Sequence, residues 1–271
     1  MARLGRRAAG GHAAAAPRFV FVLLAFAAVL APSGARASAF NVRPTQVALS
    51  GRATSGLLTL KNESAETLRF QLSAFAWSQS PTGEVQVQPT QDVVVYPPLL
   101  SLAPGEERKI RVGATVPATA VERTYRVFVE ELPPVTKAKD AKEGRTQVRV
   151  LTRMGIPIFL APAGAEASAA GHIEPKLLRA DKVAFEVKNT GNVHFQVRKA
   201  RVLGLGAAKE NLFERSVDGW YVLAGGTRVF EVQPPKGVCA KTKALAFEVT
   251  TDRETLRLQS QLDTRSGICG P

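Results

Sequence analysis

Two cysteines, Cys239 and Cys269, and three histidines, His12, His172 and His194, are the side chains of this 271-residue sequence best suited to covalent or metal chemistry. In an oxidising compartment the default for two such thiols is one disulfide, which would tie the last strand to the one before it. Without neighbouring histidines the pair cannot supply the ligands of a structural zinc site, so no metal is expected. No nucleophile elbow, phosphate loop or pair of metal-binding histidines occurs. Gly204-Leu205-Gly206 lacks the third glycine of a dinucleotide fingerprint, because position 209 is Lys. The adjacent acids Glu130 and Glu131 point to opposite sides of a strand and cannot work as a catalytic pair. Enzyme chemistry therefore finds no support, and no cofactor is expected.

The chemistry that remains is recognition by backbone and alternate side chains. The run Arg145-Thr146-Gln147-Val148-Arg149-Val150-Leu151-Thr152 alternates as a strand does, with Val148 and Val150 on one face and Arg149 and Arg153 on the other. Such a strand needs a partner for its apolar side. Taken alone, the two valines read first as core residues of their own domain, as alternate residues of most sandwich strands are. Trp77 and Trp220 read first as core residues, Pro97-Pro98 and Pro133-Pro134 as strand terminators, and Asn62 and Asn189 as turn residues.

The compartment follows from the N-terminus. Arg3, Arg6, Arg7 and Arg18 precede an apolar stretch from Phe19 to Leu30, and Ala35-Arg36-Ala37 supplies a small-x-small cleavage pattern. Residues 1–37 are thus expected to be a signal peptide, with a mature, soluble protein starting at Ser38. The apolar stretch is shorter than a membrane span requires. Cleavage removes five arginines and no acids, so the formal net charge of +13 falls to +8. The remaining basic residues are dispersed along strands and not clustered with stacking aromatics, which argues for acidic protein partners over nucleic acid.

The elements that must position these residues are short alternating segments separated by Gly, Pro, Asn and Ser turns, without sustained helical periodicity after the signal. That pattern predicts an all-β protein of two immunoglobulin-like β-sandwich domains. An internal repeat supports two domains. Leu58-Thr59-Leu60-Lys61-Asn62 followed by Phe70-Gln71-Leu72 is echoed by Phe185-Glu186-Val187-Lys188-Asn189 followed by Phe195-Gln196-Val197. Leu102-Ala103-Pro104-Gly105 before Lys109 to Val112 is echoed by Leu223-Ala224-Gly225-Gly226 before Val229 to Val232. The expected boundaries are 38–160 for the first domain, an Ala- and Gly-rich linker over 161–175, and 176–271 for the second.

Several landmarks occur in a fixed order through about 120 residues of the first half. They are Arg43-Pro44-Thr45-Gln46-Val47, the strand into Asn62, Trp77 before the turn at Pro81-Thr82-Gly83, and Tyr96-Pro97-Pro98. Leu102 to Gly105, Arg111-Val112, Thr124-Tyr125-Arg126 and Glu131-Leu132-Pro133-Pro134 complete the series. In this arrangement the chain resembles the periplasmic chaperones of pilus and fimbrial assembly, the PapD-like family. The resemblance implies a periplasmic protein whose G1 strand fills the open groove of an incomplete immunoglobulin-like pilus subunit, and which hands that subunit to an outer-membrane usher. Carried onto this sequence, it places Val148 and Val150 in the groove with Thr146 and Thr152 at its ends, after a charged loop from Val135 to Gly144. It also implies two basic residues that grip the subunit's terminal carboxylate. The aligned positions here are Gln46 and Gly155, which leaves Arg43 and Arg153 as the candidate anchors. The competing class is a secreted two-domain adhesion or structural protein, which would keep the sandwiches without needing the ordered landmarks. Genes for an usher and small secreted subunits beside this one would discriminate the two.

Overall fold

The computed structural model describes residues 39–80, 82–135, 150–178, 181–238, 240–253 and 257–263. In the first half the strands follow as β1 (Phe40–Arg43), β2 (Val47–Leu49), β3 (Ser55–Asn62), β4 (Leu68–Gln79) and β5 (Val85–Pro89). They continue as β6 (Val93–Tyr96), β7 (Leu99–Leu102), β8 (Glu107–Ala114), β9 (Arg123–Leu132) and β10 (Arg153–Leu160). One sheet has the order β1-β3-β8-β6 and the other β2-β10-β9-β4-β5, with β7 also paired to β4. Their facing sides hold one core that includes Leu58, Leu60, Phe70, Ile110, Val112, Val127, Val129 and Ile158. Alternation accounts for it: in β9 Tyr125, Val127 and Val129 are buried, while the intervening Arg126 and Phe128 emerge on the outer face.

The second half comprises β11 (Gly171–Leu178), β12 (Val183–Asn189), β13 (Phe195–Leu205), β14 (Asn211–Asp218) and β15 (Tyr221–Val222). It ends with β16 (Thr227–Val232), β17 (Ala244–Thr251) and β18 (Arg257–Asp263). Its sheets are β11-β12-β16 and β14-β13-β17-β18, with β15 on β13. Phe185, Phe195, Phe230 and Phe247 lie in its separate core. The protein is thus all-β, two sandwiches in series. β11 opens at Gly171, so a strand occupies the last part of the segment expected to link them.

The internal repeat is a repeat of hydrogen-bonding roles. Buried Asn62 donates through Nδ2 to the carbonyls of Leu102 (3.0 Å) and Glu66 (2.7 Å), and its Oδ1 accepts from Ser64 N (2.9 Å). Asn189 donates to the carbonyls of Val222 (3.1 Å) and Val193 (2.8 Å), and accepts from Gly191 N (2.8 Å). Each Asn ties its own turn to the strand end opposite, which satisfies buried groups that water cannot reach. The matching turns fix the register. Gly105 (φ 75°) and Gly225 (φ 67°) hold the position that needs a left-handed backbone. Leu102 therefore corresponds to Val222, one residue away from the Leu223 that the bare sequence pattern pairs with it.

Candidate functional site

β10 is bonded along its whole length on one side and only partly on the other. Arg153 to Leu160 pair with β9, whereas β2 covers only Ile158, Phe159 and Leu160. From Arg153 to Pro157 the second edge is open among the described residues. Just before it, Val150 to Thr152 lie outside any strand, although Thr152 O accepts from Glu131 N (2.9 Å) and continues the direction of the ladder. Val150 is 76% exposed and Leu151 41%. Thr146 and Val148, like most of the alternating run, lie outside the described residues, as do Cys239 and Cys269. An apolar side chain held in water beside an unpaired strand edge is an arrangement suited to pairing with another chain.

The outer face of the same sheet carries the charges. Gly155 lies opposite Phe128, Pro157 opposite Arg126, and Phe159 opposite Thr124. Arg126 is half-buried, its guanidinium 4.1 Å from the Trp77 ring centre and 5.7 Å from that of Trp220. These are stacking distances for a cation on an aromatic face. Its buried Nε has no hydrogen-bond partner and no acid pairs with it among the described residues. Burial pulls its pKa below the usual arginine value, partly offset by the nearby Tyr221. A Cβ at position 155 would meet the Phe128 ring at 3.0 Å and the Arg126 Cδ at 3.7 Å, so the glycine leaves room for both.

Gln46 and Gly155, the positions where the sequence pattern lacks bases, lie on this surface. Tyr221 Oη donates to Gln46 Oε1 (3.3 Å), and burial pushes the Tyr221 pKa up. The two arginines singled out from the sequence are already engaged, Arg43 on the opposite sheet and Arg153 on this face beside Phe128. Arg43, on β1 of the opposite sheet, lies 3.9 Å from Glu107. Arg153 lies 3.4 Å from Glu130 and stacks on Phe128 at 3.9 Å. Arg126 was quoted in the sequence only as one landmark of a strand. Its signal there is a lone cation alternating with Tyr125 and Val127, but which aromatics flank it depends on the cross-strand register.

The second sandwich closes this face. Trp77, Phe159 and Leu223 form a small buried cluster with Tyr221 against it. The His194 ring stacks on Phe159 at 3.6 Å with a 12° interplanar angle, and its Nδ1 lies 2.7 Å from Glu122 Oε2. The same carboxylate oxygen accepts from His194 N at 2.9 Å. The hairpin between β4 and β5 reaches over as well, where the Arg228 guanidinium donates to Gly83 O (3.3 Å). Two sandwiches thus meet along a cleft whose floor is the open-edged sheet and which holds the half-buried Arg126.

Residues 39–166 match the family model of the pili and flagellar-assembly chaperone, PapD N-terminal domain. Solved structures of similar fold include the Escherichia coli chaperone DraB (TM-score 0.53, 15% identity, covering 84% of this chain and 98% of that one). The Salmonella enterica SafA pilin in complex with the SafB chaperone matches with TM-score 0.52 and 15% identity, over 83% of this chain and 96% of that one. The CsuC–CsuE chaperone–tip adhesion subunit pre-assembly complex of Acinetobacter baumannii matches with TM-score 0.50 and 17% identity, over 71% and 89%. No match is found among curated protein sequences.

Proposed function

We propose, since residues 39–166 match the model of the PapD N-terminal domain of pili and flagellar-assembly chaperones, that this chain captures pilus or fimbrial subunits by lending them a strand. The donor segment is Thr146 to Thr152, with Val148 and Val150 filling the subunit's groove and Thr146 and Thr152 at its ends. The observation that carries the reading is the open edge of β10 beside exposed Val150. Main-chain bonds along that edge supply affinity, and alternate apolar side chains supply fit.

On this reading the residue that anchors the subunit's carboxylate is Arg126, ahead of Arg43 and Arg153. A partner strand laid parallel to β10 along the open edge ends its chain near Pro157, opposite Arg126. Among the described residues Arg43 and Arg153 each pair with an acid and Arg126 does not. A guanidinium offers two parallel N–H groups to a carboxylate, so Arg126 suits the task in chemistry as well as place. The signal peptide of residues 1–37, a Cys239–Cys269 disulfide in the periplasm, and transfer of the subunit to an outer-membrane usher complete the proposed role.

Co-expression in a bacterial periplasm with a small β-rich pilus subunit tests the reading. A stable one-to-one complex with the wild-type chain, lost in Val150→Asp while that variant stays folded, is the expected result. A folded Val148→Asp/Val150→Asp variant that still captures the subunit would refute strand donation.

A further inference from the structure

We propose that Gln79 is a positioning residue for the Arg126 site, an inference that rests on the carboxylate reading of that site. Gln79 is the last residue of β4, yet its amide is bonded to the other sandwich. Its Nε2 donates to Tyr221 O (2.7 Å) and its Oε1 accepts from Leu223 N (2.9 Å). The two backbone groups it satisfies bracket β15, a strand of two residues that pairs with β13 only at Phe195↔Val222 and Gln196↔Tyr221. The amide thus supplies the donor and acceptor that a neighbouring strand would supply on the second edge of β15.

What β15 carries gives this clamp its consequence. Tyr221 stacks edge-on against Trp77 at 5.5 Å and reaches Gln46 Oε1, and Trp220 stands 5.7 Å from the Arg126 guanidinium. Floor and wall of the cation's surroundings come from different sandwiches, and Gln79 is the side chain that bonds the wall directly to the strand holding Trp77. Fixing β15 fixes where Trp220 and Tyr221 stand around Arg126, and so the direction in which the guanidinium is presented. A short strand held by one partner alone would let that wall shift, and recognition of a planar group suffers from small displacements. Other contacts hold the sandwiches together, among them Glu122 with His194, Gly83 with Arg228 and Asn192 with Ala120. Loss of the amide is therefore expected to leave the molecule folded with its domains joined.

The test uses the mature chain, residues 38–271, titrated with N-acetylglycine as a minimal peptide carboxylate and with N-acetylglycinamide as its neutral twin. Both tryptophans flank Arg126, so their fluorescence reports occupancy. The wild type is expected to prefer the carboxylate, and Arg126→Ala to lose the preference. Gln79→Met, which keeps length without hydrogen bonds, is expected to bind the carboxylate about tenfold more weakly, with its response to the amide unchanged. Gln79→Asn, one methylene too short to span both backbone groups, is expected to do the same and serves if the Met variant does not fold. A purely structural role would lower the melting temperature and leave the carboxylate preference intact, which overturns the inference alone. A wild type without that preference, or an Arg126→Ala variant that retains it, overturns the carboxylate reading itself.

Discussion

A guanidinium laid on an indole, half out of water and without a counter-ion among the described residues, spends stability that binding can recover. Burying an unpaired charge costs free energy, and a neutral side chain of similar volume removes the cost. Arg126→Met is therefore expected to hold or raise the melting temperature while weakening subunit capture by about 2 kcal/mol, the scale of a hydrogen bond to a charged group. Thermal melts and capture assays on one preparation read both effects, and a variant that loses stability and keeps binding would show Arg126 to be structural. Arg43 and Arg153, paired with Glu107 and Glu130, are expected to change capture little on truncation. The sequence marks a missing base at Gln46 and Gly155 and offers Arg43 and Arg153 in its place, but does not single out the proposed Arg126. Arg126 faces Pro157 across two strands separated by a loop, and such a register is a property of the sheet that spacing along the chain does not carry.

Strand β9 supplies Arg126 outward and Tyr125 inward, and the inward residue gives the element a pH signature. Tyr125 Oη donates to Asp92 Oδ2 (3.0 Å), and burial first, then the Asp92 carboxylate, raises its pKa above the usual tyrosine value of about 10. A raised folded-state pKa means the contribution is complete below about pH 10 and is lost as the pH climbs through the folded value. Chemical denaturation at pH 8 and pH 11 should show the wild type losing more stability over that interval than Tyr125→Phe; equal losses would remove the effect from Tyr125. Ahead of β10, the alternation of Val148 and Val150 reads in the sequence as a one-sided strand, most of which lies outside the described residues. That the second edge of β10 stays open among the described residues from Arg153 to Pro157 is not legible in the sequence, because it depends on β2 covering only three residues. The repeat was legible in Asn62 and Asn189, whose buried bonds need that residue type. It slipped by one at Leu223 because two adjacent glycines follow it and only φ tells which one occupies the left-handed position.

At the scale of the whole molecule, two sandwiches of one design were foreseeable from turn spacing and period-two alternation. The cleft between them was not. It is built from single long-range contacts, such as the Glu122 carboxylate on His194 and the Gln79 amide on β15. Each is a pair of ordinary polar residues until the fold brings them together. Their joint effect is a preset surface with, among the described residues, an open strand edge at one end and a cation at the other; on the proposed function a partner strand gains main-chain bonds there without first ordering the cleft. The most direct measurement of strand donation is amide hydrogen exchange across residues 146–157, in the free mature chain and in its complex with a co-expressed pilus subunit. The account predicts rapid exchange at the open edge in the free protein and strong protection in the complex, centred on Val148 to Gly155. A stable complex that leaves exchange there unchanged, with protection elsewhere, would contradict it.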